Sequence, residues 1–181
     1  MQKTIERKNS RTKTRELVLI GLSIALIYIA TAFLKFEIPT PNGGGLVHLG
    51  TGMMMIVSIL FGRKTGAVSS AAAMGMFDIF SKYTIWAPTT IITRFIMGLI
   101  IGSIANKNGK SKNSTIRNFL AIIIGGAWMV VGYYIGEGLT FGNWYTPIAS
   151  IGGNILQVLV GGILALILVP GIKKSGILEN R

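Results

Sequence analysis

The sequence predicts an all-α membrane protein, a compact bundle of six transmembrane helices with both termini in the cytoplasm. Three observations predict it. The chain of 181 residues is 50% hydrophobic and only 13% charged, against roughly 25% charged residues in soluble domains. Its apolar residues gather into six runs, and its basic residues gather in alternate connections between those runs.

Residues 1–16 form a basic cytoplasmic segment carrying Lys3, Arg7, Lys8, Arg11, Lys13 and Arg15. The charge-free run 17–34 follows; no small-x-small cleavage pattern follows it, so it reads as a retained helix rather than a signal. The second and third runs, 46–61 and 66–76, are separated by GRKT and fall short of the roughly 20 residues that cross a bilayer. Such short helices belong inside the bundle, because exposed backbone at membrane depth is tolerated only where protein or a wet cavity surrounds it. Runs 88–105, 119–136 and 148–169 complete a single membrane domain over 17–170, and residues 171–181 form a cytoplasmic tail.

Orientation follows from the charges. Arg63 and Lys64 join runs two and three; Lys107, Lys110, Lys112 and Arg117 join runs four and five; Lys173, Lys174 and Arg181 follow run six. Of the 18 basic residues only Lys35, Lys82 and Arg94 lie elsewhere. This is the positive-inside pattern, and it predicts six crossings. The net charge of +12 does not point to nucleic acid, because the basic residues are spread over several short segments instead of one face.

Enzymatic chemistry has no support. There is no cysteine, one histidine and six acidic residues, which leave no thiolate site, no metal cluster and no nucleophile beside a base. No cofactor is expected. A proton-coupled carrier would need a titratable group near the bilayer middle, and arginine cannot serve. A channel would line its full depth with polar groups. The residues fit a binding protein within the membrane; a stand-alone carrier and an interaction protein remain the alternatives.

Small residues recur at helical spacing: Gly21, Ala25 and Ala32; Gly98, Gly102 and Ala105; Gly125, Gly132 and Gly136; and, mixed with polar groups, Ser150, Gly153, Asn154, Gln157, Gly161 and Ala165. Such stripes let helix backbones approach closely in lipid. Met53 to Met55, Met74 and Met76 read as adaptable core filler.

The remaining chemistry falls in the connections 35–47, 77–87 and 137–147, all external by the charge pattern. They carry Glu37 and Asn42 with His48 at the edge, then Asp78, Lys82, Tyr83 and Trp86, then Glu137, Phe141, Asn143, Trp144 and Tyr145. Arg94 lies about two turns, roughly 9 Å, below Pro88, and Asn154 and Gln157 share a face of the last helix. Polar groups at that depth are costly unless paired or lining a cavity. They predict an outward-facing polar and aromatic pocket under a Pro/Gly-rich loop. Arg94 and Asp78 either pair with one another or contact the ligand, and Trp144 and Tyr145 either stack on the ligand or belong to the interfacial belt.

The run from IPTPNGGGLVHLG to LFGRKTGAVSSAAAMGMFDIFSKYTIWAPTTIITRFIMGLIIG resembles the substrate-binding S component of energy-coupling factor (ECF) vitamin transporters, in the branch of riboflavin-like, hydroxymethylpyrimidine and pyridoxine importers. The Pro/Gly loop leading to HLG, the LFGRKTG turn, Asp78 before a short aromatic loop and the Pro-Thr opening of a helix ending in MGLIIG carry the likeness. The resemblance implies a bacterial cytoplasmic-membrane protein that captures a vitamin outside and closes the first loop over it. It also implies docking on a transmembrane coupling subunit driven by two cytoplasmic ATPases. Gly21, Ala25 and Ala32 correspond to the family's small-residue docking motif on the first helix. The pocket residues, His48, Asn42, Asp78, Trp86, Arg94, Glu137, Asn143, Trp144, Tyr145, Asn154 and Gln157, suit a small planar heteroaromatic such as hydroxymethylpyrimidine or a vitamin B6 form. Riboflavin or pantothenate is the alternative cargo.

Overall fold

The computed structural model describes residues 2–39, 45–106 and 114–175, with side chains described from residue 13 onward. Its first helix, α1 (Gln2–Phe33), begins inside the basic segment, because no glycine or proline interrupts the chain before Gly21. The connection that reads as a pliable loop is a hairpin: β1 (Lys35–Glu37) pairs antiparallel with β2 (Leu46–His48), Lys35 opposite His48 and Glu37 opposite Leu46. The fold is thus helical with one two-stranded addition. Asn42 lies outside the described residues.

Helix α2 (Gly50–Phe61) ends at Gly62, whose φ of 87° is glycine's territory, and the chain turns directly into α3 (Arg63–Ile79). A 3-10 turn, Thr84–Trp86, leads into α4 (Ala87–Ala105), with Pro88 in its first turn, where a missing N–H costs nothing. Helix α5 (Thr115–Phe141) is capped by Ser114, whose Oγ accepts the Arg117 N–H at 3.4 Å, and stops at left-handed Gly142. Helix α6 (Ile148–Lys174) closes the bundle. Asp78 and Glu137, expected in loops, are therefore held on the last turns of α3 and α5.

Among the described residues, four helices are long and apolar enough to cross a membrane: α1 from Lys13, the 3-10 turn with α4, α5 and α6. Helices α2 and α3 fill the interior, with nine of twelve and eleven of seventeen residues buried. Their packing rests on glycine. A Cβ on Gly98 would lie 2.6 Å from the Ala67 backbone, and one on Gly102 would strike the Arg63 backbone, so α4 receives the first turns of α3 only because both positions lack side chains. Gly52 of α2 and Gly161 of α6 meet in the same way: a Cβ on Gly161 would come within 2.7 Å of the Gly52 nitrogen. Gly125, Gly132 and Gly136 of α5 accept Ile101, Thr93 and Thr89 of α4. Met54, Met55, Met74, Met97 and Met129 are fully buried in the core, whereas Met76, expected there too, is exposed.

Candidate substrate cavity

At the hairpin end of the bundle, β2, α3, the 3-10 turn, α4, α5 and α6 surround a cavity of about 40 Å³. Its wall is Leu46, His48, Met74, Asp78, Tyr83, Trp86, Thr90, Arg94, Tyr133, Glu137, Asn154 and Gln157. Seven of the eleven pocket residues expected from the sequence meet here: His48, Asp78, Trp86, Arg94, Glu137, Asn154 and Gln157.

Arg94 is 1% exposed. Its Nη1 donates to Thr51 Oγ1 at 3.0 Å and approaches Met129 Sδ at 3.0 Å, while Nε donates to Tyr133 Oη at 3.3 Å. It forms no ion pair with Asp78, which corrects the pairing the sequence allows. Two hydroxyls stand between them instead. Tyr133 Oη and Thr90 Oγ1 lie 3.0 Å apart, and the Thr90 side chain hydrogen-bonds the Asp78 carboxyl. Arg94 donates to Tyr133 Oη, and either hydroxyl of the Tyr133–Thr90 pair can donate to the other, so the two hydroxyls bridge the guanidinium to the Asp78 side. The relay connects the two charges while leaving Arg94 Nη2 and Asp78 with capacity for a further partner.

The second buried carboxylate, Glu137, accepts the Ser150 hydroxyl of α6 at 2.8 Å. Gln157 Oε1 accepts the His48 backbone N–H at 3.1 Å, which fastens β2 to α6. Burial, and after it the Arg94 and Lys35 charges, hold the His48 imidazole well below the usual histidine range, so it is neutral at pH 7. His48 Nδ1 and Trp86 Nε1 are buried without a hydrogen-bond partner, a state native structures avoid unless a ligand or water completes it. Trp86 belongs to a chain of rings that continues through Tyr83 (centroids 5.9 Å) and Phe77 (6.1 Å) to Tyr28 (6.4 Å). This gives the cavity a rigid aromatic side.

Asn143, Trp144 and Tyr145 do not reach the cavity. Asn143 Oδ1 accepts the Tyr145 N–H at 2.8 Å in a local turn, and Trp144 folds back onto Tyr134, with ring centroids 6.0 Å apart and its carbonyl accepting the Tyr134 hydroxyl. Tyr145 is 83% exposed. Thr90 and Tyr133 escape a reading of the loops because they lie within helices, yet each carries a signal: Thr90 stands one turn from Arg94 and Tyr133 one turn from Glu137 on the same faces. On α1, Gly21 and Ala25 are exposed and Ala32 is partly covered.

The sequence profile of the ECF-type riboflavin transporter S component family matches residues 11–174. The chain belongs to that family. A curated relative, the thiamine precursor transporter HmpT of Lactococcus lactis subsp. cremoris, is 30% identical over 98% of this chain and 97% of its own length. An uncharacterised protein of Pyrococcus woesei is 28% identical over 73% of the chain and 88% of that relative. A solved S component of a bacterial ECF transporter superposes with a TM-score of 0.66 at 18% identity, covering 90% of this chain and 98% of the other, a likeness of fold. This S component is a membrane subunit of a vitamin or precursor uptake system and not an enzyme.

Proposed function

We propose that this S component captures hydroxymethylpyrimidine, or a single-ring heterocycle of the same donor and acceptor pattern such as a vitamin B6 form, on the outer face of a bacterial cytoplasmic membrane. The observation that carries this reading is the cavity's charge and size together. Asp78 and Glu137 set two buried carboxyl groups against one guanidinium, with His48 neutral. A ligand rich in N–H and O–H donors suits a wall that carries the Asp78 and Glu137 carboxyls, and its acceptors take Arg94 Nη2 and the Trp86 indole N–H. An anionic ligand such as pantothenate meets two carboxyl groups for one guanidinium. A volume of about 40 Å³ holds roughly three water centres, so a single-ring cargo asks for less widening of the walls than the fused rings of riboflavin. The relative described as a thiamine precursor transporter favours the same choice.

Within this reading, residues 1–16 and 171–181 are cytoplasmic and 17–170 form the substrate-binding domain with six crossings. The exposed Gly21 and Ala25 of α1 let the backbone of a transmembrane coupling subunit approach, and two cytoplasmic ATPases supply the energy, since this chain has no phosphate-binding GxxxxGK[ST] loop.

Calorimetric titration of the detergent-purified chain with hydroxymethylpyrimidine, pyridoxine, riboflavin and pantothenate tests the proposal. Binding of hydroxymethylpyrimidine or pyridoxine at least a hundredfold tighter than pantothenate is the expected result. Riboflavin binding with no response to the single-ring compounds overturns it.

A further inference from the structure

The hairpin over the cavity is held differently at its two ends. Near its base, the His48 N–H donates to Gln157 Oε1 and the Leu49 N–H donates to Leu34 O at 2.9 Å, with His48 buried. At the far end of the same strands, Glu37 is exposed, yet its Oε2 accepts Lys82 Nζ at 2.6 Å from the connection between α3 and α4. Its carboxylate also takes a hydrogen bond from the Tyr83 side chain. Tyr83 is 4% exposed, lines the cavity and stacks on Phe77 at an interplanar angle of 28°. Lys35 of the same strand lies 4.7 Å above that Phe77 ring. One exposed carboxylate thereby ties the hairpin to a residue of the cavity wall, across 45 residues of sequence.

We propose that Glu37, gripping Lys82 and Tyr83, is a positioning residue that clasps the hairpin shut over the cavity, with the His48–Leu49 end as the pivot. The clasp keeps ligand in, and neither Glu37 nor Lys82 belongs to the cavity wall. Its hydrogen bond from Lys82, and next that from Tyr83, holds the Glu37 carboxyl below its ordinary range, so it is ionised at neutral pH. An exposed pair releases readily, which suits a closure that must open on each cycle.

The kinetic part of the test rests on the substrate reading above; the structural part does not. The chain contains no cysteine, so Phe36→Cys with Ile85→Cys, both exposed positions, can carry a unique spin-label pair. The expected inter-label distance distribution is narrow in this background, broad after E37Q or K82Q, and narrowed again by the charge swap E37K with K82E. An unchanged distribution after E37Q overturns the clasp. With hydroxymethylpyrimidine as the probe, E37Q is expected to raise koff about threefold to tenfold with kon unchanged, the scale an exposed charged pair allows. Unchanged koff, or an equal loss in kon, overturns the clasp as well. If hydroxymethylpyrimidine fails to bind the parent chain, the substrate reading falls while the label distances still decide the clasp.

Discussion

The two ends of the bundle use the same helices for opposite purposes. Toward the Gly62 turn, α3 and α4 approach until backbone meets backbone, through Gly98 and Gly102. The polar side chains there are spent on backbone carbonyls: Ser58 Oγ donates to Met54 O at 2.7 Å, Ser70 Oγ to Gly66 O at 2.7 Å and Asn106 Nδ2 to Ile59 O at 3.2 Å. Toward the hairpin, the same α4 and the neighbouring α5 line the cavity with Thr90, Arg94, Tyr133 and Glu137, beside His48 Nδ1 and Trp86 Nε1, which have no partner within the protein. In a solvent that offers no hydrophobic drive between helices, close backbone contact supplies cohesion, and that cohesion allows the other end to keep costly polar groups around an open space. One end is the anchor that makes the other end's incompleteness tolerable.

The sharpest break in this contrast is steric. Gly98→Val places a branched side chain against the Ala67 backbone, which cannot move aside cheaply. Loss of monodisperse folded protein in detergent is expected. Gly21→Val on α1, where a Cβ meets nothing within 4 Å, is expected to leave the melting temperature unchanged. At the cavity end the order reverses, and changes should cost binding more than folding. Glu137→Gln keeps the Ser150 contact but removes a buried carboxyl that a ligand donor would meet; a loss of about tenfold to a hundredfold in affinity is expected by calorimetry. Trp86→Phe retains the ring and deletes only the unpartnered N–H, for which about a fivefold loss is expected. Trp144→Phe, outside the cavity, should change nothing. The smallest effect concerns protons. The His48 pKa is depressed by burial, so its contribution to stability is complete above the unfolded value near 6.5 and is lost as pH falls below it. The melting temperature should decline from pH 7 to pH 5, and His48→Gln should flatten that slope.

Much of this was legible in the chain itself. The order of the helices, the brevity of α2, the glycine contacts of α4 and α5, and the gathering of polar residues at one end all follow from composition and from periodicities of three and four, which are local properties. The hairpin was harder to read: strands of three residues carry too little pattern, and their pairing is stabilised by attachments elsewhere, to Gln157 and to Leu34.

The sequence by itself determined that the protein is a helical membrane bundle and which residues could compose a site. Only the tertiary structure decided which of them line one cavity. Arg94 and Asp78 look like partners along the chain, yet helix crossing sets Tyr133 and Thr90 between them. Trp144 and Tyr145 look like ligand stackers, yet the Asn143 turn carries them away. Glu37 finds Lys82 across 45 residues. The physical reason is range: hydrophobic periodicity acts over one or two helical turns, whereas hydrogen-bond partnership depends on distances and directions of a few ångströms between helices that only their packing sets.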